Sequence, residues 1–321
     1  LQIQSPITMP EAEAEPEGTS YAIICSVQLP IVLISLVVVL CTILIIARYS
    51  ALHGNCKAFL LLNTAGMLFI LCSHFGKVII FLRIDHHTEA FLFSYTPFMV
   101  LHPLTEFGYF LCSCSTVVLI IERIVACWLL DRYDQSPCSW TCITVGSFVC
   151  IAFASYFSYL VHYRRLVVQA TIIGYSVGLV ALIMLVVCYR YSRWRYRTLT
   201  NISSRYQMRE VQEVTRALIP ASTLTILSRF CAGVFFVAKL VWPEYMPYIY
   251  GISLFQTIHS LNTVQWCAIL VLKHRGLRQT AINLLPGQSE YEPASKIPRI
   301  DAASSDVRSR QYFRELETSW A

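Results

Sequence analysis

Three ionisable side chains lie deep inside segments that otherwise consist of apolar residues: Glu106, Arg229 and His259. Ionisable groups are costly in lipid, so in such segments they usually face a protein interior and pair with one another or with a polar ligand. All three lie about 14 to 18 Å from the same side of the predicted membrane, at 1.5 Å per helical residue. We expect Glu106 and Arg229 to pair when the site is empty, and a polar ligand group to compete for one of them. A purely structural pair between two helices is the alternative.

Other polar residues of these segments add candidates for a ligand site but none for a metal. Gln256 and Tyr248 precede His259 in the same segment and are further candidates for ligand contacts. The interior histidines, His74, His102 and His259, lie on three different segments, and no apolar segment contains the His-x-x-x-His spacing that suits zinc. The sequence therefore predicts neither a metal site nor a catalytic site.

The dipeptide Glu122-Arg123 directly follows the apolar residues that end the third segment. An acidic residue beside an arginine can hold or release a neighbouring helix by exchanging ion-pair partners, and we expect this pair to act as such a switch. The alternative is that both side chains only anchor the segment among lipid headgroups. Asp131-Arg132-Tyr133 has similar residue types, but a helix that reached it from 97 would need about 35 residues, more than a span requires. We predict a loop there.

Seven apolar segments of 23 to 26 residues must position these side chains. About 20 helical residues cross the hydrocarbon core, and the polar stripes that buried helices of a soluble protein would carry are missing. The segments form one transmembrane domain, 22–272, between an acidic N-terminal segment, 1–21, and a largely flexible cytosolic tail, 273–321. The predicted spans are 22–47, 58–82, 97–121, 139–161, 166–189, 217–241 and 247–272.

Basic residues between the segments determine the predicted orientation. With the N-terminus outside, the inner connections and the start of the tail carry 14 Lys and Arg residues, whereas the outer segments carry 3. This bias follows the positive-inside rule. We therefore predict an all-α membrane protein, a seven-transmembrane helix bundle of the GPCR type with an extracellular N-terminus. The same distribution accounts for the net charge of +6 without a nucleic-acid partner.

The third inner connection, 190–216, is rich in arginine. Ser204, followed by Gln207 three residues later, has the pattern of a capping box, which predicts a helix that starts there and continues into the sixth span. Its basic surface would suit a G protein, and it would equally suit anionic lipid. The side chains in question are Arg205, Tyr206, Gln207 and Arg209.

Two inner segments resemble a known family. Residues 122–126 read ERIVA, residues 133–134 read YD, and residues 199–210 read LTNISSRYQMRE. They resemble the ER…A…YE and LS-x-RYQ-x-x-EN patterns of the nematode serpentine chemoreceptors of the Sra superfamily. Class epsilon (Sre) is most similar, followed by the alpha-beta and beta classes. Two positions depart from the pattern: Asp134 stands where Glu is favoured, and Val211 where Asn often follows.

The resemblance implies a multi-pass chemosensory receptor in the plasma membrane of sensory neurons. Such a receptor binds a small organic ligand from outside and signals to a heterotrimeric G protein. The candidate residues for coupling are Glu122, Arg123, Arg205, Tyr206, Gln207 and Arg209.

Two other classes of membrane protein are the alternatives. A transporter or channel is the first, and transporters of this size often contain internal repeats, which the two halves of this sequence lack. An intramembrane enzyme is the second. A zinc-dependent enzyme of that kind needs several His and Asp residues within the bundle, and no predicted span contains Asp. We therefore predict a protein that is not an enzyme and needs no cofactor.

Overall fold

The structure is a computed structural model that describes residues 18–50, 52–83, 92, 94–129, 139–164, 167–199, 202–241 and 248–284. Within these ranges the chain forms eight helices and no strand. The chain divides into two compact units, Leu1–Thr280 and Ala281–Ala321, and the second is described only as far as Leu284. The helices are α1 (Gly18–Arg48), α2 (Gly54–Arg83), α3 (Thr96–Trp128), α4 (Ser139–Arg164), α5 (Val167–Thr198), α6 (Ile202–Val241), α7 (Tyr248–Lys273) and α8 (Arg275–Asn283).

The first seven helices occupy the seven predicted spans. By length and composition, α1 to α6 can each cross a membrane. α7 has 26 residues, enough for a span, and it contains several uncharged polar side chains. Gln265 of α7 is exposed, but six other polar side chains of this helix are buried against other helices, where they escape contact with lipid. They are Ser253, Gln256, His259, Ser260, Asn262 and Thr263. The architecture is therefore the all-α, seven-helix membrane bundle that the sequence predicts.

The third helix continues beyond its apolar residues. α3 ends at Trp128, so Glu122 and Arg123 lie within its last turns rather than after its end. Ala126 and Cys127, in the same turns, are buried in a small apolar cluster that includes residues of α5 and α6. This cluster provides the packing that stabilises the additional helical turns.

The connection between α5 and α6 is much shorter than the sequence suggests. α5 continues to Thr198 and α6 begins at Ile202, so most of the predicted connection 190–216 is helical. Arginine is a good helix former, and the basic residues extend α5 without a break. Ser204 lies inside the first turn of α6 and is not its N-cap, which corrects the predicted helix start.

The tail also begins with a helix, although we predict it to be largely flexible from 273. Leu277 of α8 is fully buried, and its backbone N–H donates to His274 Nδ1 at 3.3 Å. The His274 ring in turn packs edge-on against Tyr49, with ring centroids 5.5 Å apart. These contacts connect the end of α7 to the end of α1.

Two glycines allow α2 and α3 to approach closely. A Cβ atom added to Gly66 would lie 2.7 Å from Cys112 Sγ, and one added to Gly108 would lie 2.7 Å from Ile70 Cγ1. Small residues are typical of tight helix contacts in membranes. The approach brings Asn63 of α2 to the α3 backbone, where its Nδ2 donates to Cys112 O at 2.9 Å.

Polar contacts fix the rotation of α7 against α1. Gln28 Nε2 donates to Gln256 Oε1 at 2.8 Å, and Ser35 Oγ donates to Ser260 O at 3.2 Å. Hydrogen bonds are electrostatically stronger in the low dielectric of an interior than in water. With these residues on the α1 side, His259 of α7 lines a cavity at the centre of the bundle.

Candidate functional site

A cavity lies between α2, α3, α5, α6 and α7, and its volume is about 70 Å³. Two of the five predicted ligand residues, Arg229 and His259, line it. Apolar walls surround them, and several uncharged polar side chains from other helices join them. The polar lining includes Asn63, Ser113, Thr116, Asn262 and Thr263.

Arg229 is the cation of this cavity. Its Nη1 donates to Ser113 Oγ of α3 at 3.2 Å, and Tyr175 of α5 donates to its backbone carbonyl. In the part of the chain that the structure describes, no carboxylate oxygen lies within 4.0 Å of its guanidinium group. The predicted ion pair with Glu106 is therefore not formed, and the prediction was wrong. Depth along two helices does not determine which faces meet.

Glu106 lies within electrostatic range of a different cation, Lys77 of α2. Lys77 is only 2% exposed, and its Nζ donates to Thr105 Oγ1 at 2.7 Å and lies 5.7 Å from the centroid of the Phe98 ring. Although Lys77 is near the outer end of the second predicted span, its side chain is buried and does not extend to the membrane surface. The polar groups of α3 and the nearby carboxylate give the ammonium group interior partners instead.

His259 lies within a group of aromatic rings beside the cavity. It is 5% exposed, and its ring centroid is 4.6 Å from that of Tyr109 and 4.4 Å from that of Phe255. The Tyr109 hydroxyl lies 3.5 Å from His74 Nε2, and His74 Nδ1 lies 3.4 Å from Ser260 Oγ. These contacts make a polar path from α3 through α2 to α7.

Tyr109 also connects the two parts of the interior that hold charges. It lies within electrostatic range of both Glu106 and Arg229. The three residues predicted to meet are thus arranged around one tyrosine: Arg229 and His259 at the cavity, and Glu106 towards Lys77.

The two remaining candidates for ligand contacts do not add to the described lining. Gln256 points to α1, where it accepts the hydrogen bond from Gln28, and it is not a lining residue of the cavity. Tyr248 is the first residue of α7, and its side chain lies outside the described part of the structure.

Sequence reasoning missed the uncharged polar residues of the cavity. Asn262 follows His259 by three residues, so both lie on one face of α7. On α3, Tyr109, Ser113 and Thr116 have the same helical spacing. Polar residues repeated every three or four positions in an apolar segment were the available signal.

A second cluster of charges lies at the other end of α3. Arg123 is 1% exposed and donates through Nε and Nη2 to the two carboxylate oxygens of Glu122, both at 2.5 Å. Its Nη1 lies 3.8 Å from Glu210 Oε1 of α6. The same Glu210 oxygen accepts the backbone N–H of His53, between α1 and α2, at 3.0 Å. A buried arginine with these partners is not an anchor among headgroups, which excludes the alternative for this pair.

The other candidate coupling residues lie on the first turns of α6. Arg205 is exposed and donates through Nε to Leu199 O at 2.7 Å, and Arg209 pairs with Glu213 at 3.4 Å. Gln207 is half-buried on the same helix. The side chain of Tyr206 and the predicted loop at 131–133 lie outside the described residues.

A seven-helix membrane bundle with a polar cavity at its centre and a buried ion cluster at one end has the layout of a G-protein-coupled receptor. The family model of the Sre G protein-coupled chemoreceptors matches residues 82–321, about three quarters of the chain. The chain belongs to this family, which confirms class epsilon over the alpha-beta and beta classes. No curated protein sequence matches the chain.

Proposed function

We propose that this chemoreceptor binds a small organic ligand from outside, in the cavity around Arg229 and His259, and signals to a heterotrimeric G protein. It acts by binding and coupling rather than by catalysis. The receptor is a multi-pass protein of the plasma membrane of sensory neurons, with its N-terminus extracellular, as the distribution of basic residues predicts.

One observation supports the proposal most directly: α3 and α6 contact each other at both sites. In the cavity they meet through Ser113 and Arg229, and at the inner end through Arg123 and Glu210. Along α3 the two contacts are about 15 Å apart, and along α6 about 28 Å, at 1.5 Å per residue. A ligand that changes the first contact therefore acts on the same two helices that form the second.

The mechanism is a shift between two arrangements of the bundle. A ligand favours the arrangement to which it binds more tightly, and only by that difference in affinity. A ligand group that binds Arg229 competes with Ser113 and favours a different position of α6 against α3. When α6 moves, Arg123 separates from Glu210 and the inner ends of the two helices part.

A pivot for this movement lies between the two contacts on α6. Pro220 is inside the helix and has no backbone N–H, so the carbonyl of Arg216 lacks its helical donor. Helices bend most easily at such positions. The segment of α6 before Pro220 carries Glu210 and the residues proposed to meet the G protein.

The proposed G-protein surface combines the end of α3 with the start of α6. Release of the ion pair would uncover Glu122 and Arg123 next to the basic first turns of α6. The surface comprises Glu122, Arg123, Arg205, Tyr206, Gln207 and Arg209.

The test is G-protein activation in cells that express the chain at the surface, screened with a panel of small organic compounds. Arg123→Ala should abolish a response while leaving surface expression and ligand binding intact, and Arg229→Ala should shift the dose curve. Arg83→Ala is the control, because Arg83 is exposed at the last residue of α2 and belongs neither to the cavity lining nor to the proposed G-protein surface. An Arg123→Ala variant that signals as well as the parent at matched surface levels would contradict the coupling mechanism.

A further inference from the structure

Two asparagines with buried amide oxygens are among the residues that line the cavity with Arg229. Asn63 donates through Nδ2 to Cys112 O at 2.9 Å, and a carbonyl oxygen can only accept. The orientation of the Asn63 amide is therefore determined, and among the described residues its Oδ1 has no hydrogen-bond partner. Asn262 is 8% exposed, and its Oδ1 likewise has no hydrogen-bond partner among the described residues. A buried acceptor without a partner costs about 1 to 3 kcal/mol, so each favours a ligand that donates to it.

The charge of the lining is positive. Arg229 is a permanent cation, and no Asp or Glu is among the residues of the cavity wall that the structure describes. A guanidinium group away from water is stabilised by a planar anion, and its parallel N–H groups match a carboxylate. One of those N–H groups donates to the neutral hydroxyl group of Ser113, which is a weaker partner for a guanidinium group than a carboxylate. Ammonium ligands would be repelled by the same charge.

The cavity volume sets the scale of the ligand group that fits inside it. The cavity measures about 70 Å³. One water needs about 10 to 15 Å³ in this measure, so the space suits about five to seven non-hydrogen atoms. The remaining wall is apolar, with Met67, Ile70 and Ile226 available to contact a short carbon chain.

From this geometry we infer that the ligand is a short organic acid that also carries a hydrogen-bond donor, such as a small hydroxy acid. Arg229 binds the carboxylate, and the hydroxyl group of the ligand donates a hydrogen bond to the amide oxygen of Asn63 or Asn262. The inference rests on the proposed function in taking this cavity as the ligand site.

Thermal unfolding of the purified full-length receptor in lipid nanodiscs tests this inference without a G protein. The probes are lactate, propanoate, which lacks the hydroxyl group, and lactamide, which lacks the charge, each up to tens of millimolar with sodium chloride at matched ionic strength as reference. Lactate should raise the midpoint most, propanoate less, and lactamide should bind at least about tenfold more weakly than lactate. Absence of stabilisation by lactate, or equal stabilisation by lactamide or by sodium chloride, would overturn the inference.

Variants connect the ranking to the residues. Arg229→Gln should abolish the advantage of lactate over lactamide, and Asn262→Leu should remove most of its advantage over propanoate. Arg48→Gln, a change at an exposed arginine of α1, should leave the ranking unchanged. The order in which the three probes stabilise the receptor is measured in the parent protein. That measurement can overturn the inference even if a variant fails to fold.

The two proposals can fail separately. If the acids bind in the expected order but no G protein is activated, the ligand class stands and the receptor mechanism falls. If a neutral compound activates the G protein through Arg123 while the acids do not bind, the mechanism stands and the ligand class is overturned.

Discussion

Arg123 of α3 lies 3.8 Å from the same Glu210 oxygen of α6 that accepts the backbone N–H of His53. One carboxylate oxygen thus joins α3, α6 and the connection between α1 and α2. Glu122 contributes to the same group, since its carboxylate binds Arg123 and lies 4.0 Å from His53 Nδ1. A change in the position of α6 must therefore break contacts with two other segments at once.

Glu210→Gln should raise the basal activation of G protein. Glutamine keeps an oxygen that can accept from His53 but removes the charge that attracts Arg123. If the arrangement in which Arg123 contacts Glu210 is destabilised by about 1 kcal/mol, the population of the other arrangement increases about fivefold. Basal nucleotide exchange, measured without ligand at matched surface expression, checks this.

Glu213→Gln is the matched control for that experiment. Glu213 is also a glutamate of α6, but its ion pair is with Arg209 on the same helix, at 3.4 Å. Pairs of this kind contribute a few tenths of a kcal/mol. Equal basal activity in the Glu210 and Glu213 variants would mean that the contact between α3 and α6 does not hold the receptor closed.

Pro220→Ala should reduce the maximal response to a ligand by about fivefold. This corresponds to a decrease of ~1 kcal/mol in the coupling free energy between the two sites. Alanine restores the backbone N–H and removes the easiest point of bending between Arg229 and Glu210. Ligand affinity and surface expression should change little. Thr223→Ala, at an exposed position of the same helix, serves as the control. A full response from the Pro220 variant would exclude this position as the pivot.

Gly66→Ala should destabilise the bundle by about 1 to 3 kcal/mol, because the added methyl group would overlap Cys112 where α2 and α3 are closest. Thermal unfolding and the fraction of protein at the cell surface report the change. Gly174→Ala on α5 is the control, since a Cβ atom there meets nothing within 4 Å. Comparable stability in the two variants would show that close approach of α2 and α3 is not required.

Acidification should destabilise the receptor through His274, next to the inner end of α7. Burial lowers the pKa of His274 below its ordinary value of 6.5, against an opposing effect of Glu213, and the charge of Arg123 lowers this pKa further. Because the unfolded chain binds the proton more readily than the folded one, stability contributed by neutral His274 is present above pH 6.5 and decreases as the pH falls below it. The midpoint of thermal unfolding, measured between neutral and mildly acidic pH, gives the dependence of stability on pH.

His274→Asn should give a shallower slope, because asparagine does not titrate and its oxygen can still accept the Leu277 N–H. The His274 ring packs against Tyr49, which directly follows α1. Parallel slopes in the parent and the variant would assign the pH dependence to other residues.

The errors of the sequence interpretation at the candidate ligand site concern helix faces rather than helices. Glu106, Arg229 and His259 do lie in transmembrane helices, yet Arg229 and His259 share a cavity, whereas Glu106 is outside its lining and within electrostatic range of Lys77. Lys77 is near a predicted membrane surface, but its face of α2 is covered by α3. Residue spacing measures depth, whereas the pairing of charges depends on rotation about each helix axis.

By itself, the sequence determined the seven membrane helices, the family and the position of Glu122-Arg123, because these depend on the sum of apolar residues along the chain and on local motifs. Only the tertiary structure decided that Arg123 meets Glu210, that Asn63 and Asn262 join Arg229, and that Glu106 does not. The physical reason is that such contacts arise from the close approach of helices distant in sequence, at positions such as Gly66 and Gly108. The sequence of a single helix does not determine which of its faces a neighbouring helix covers.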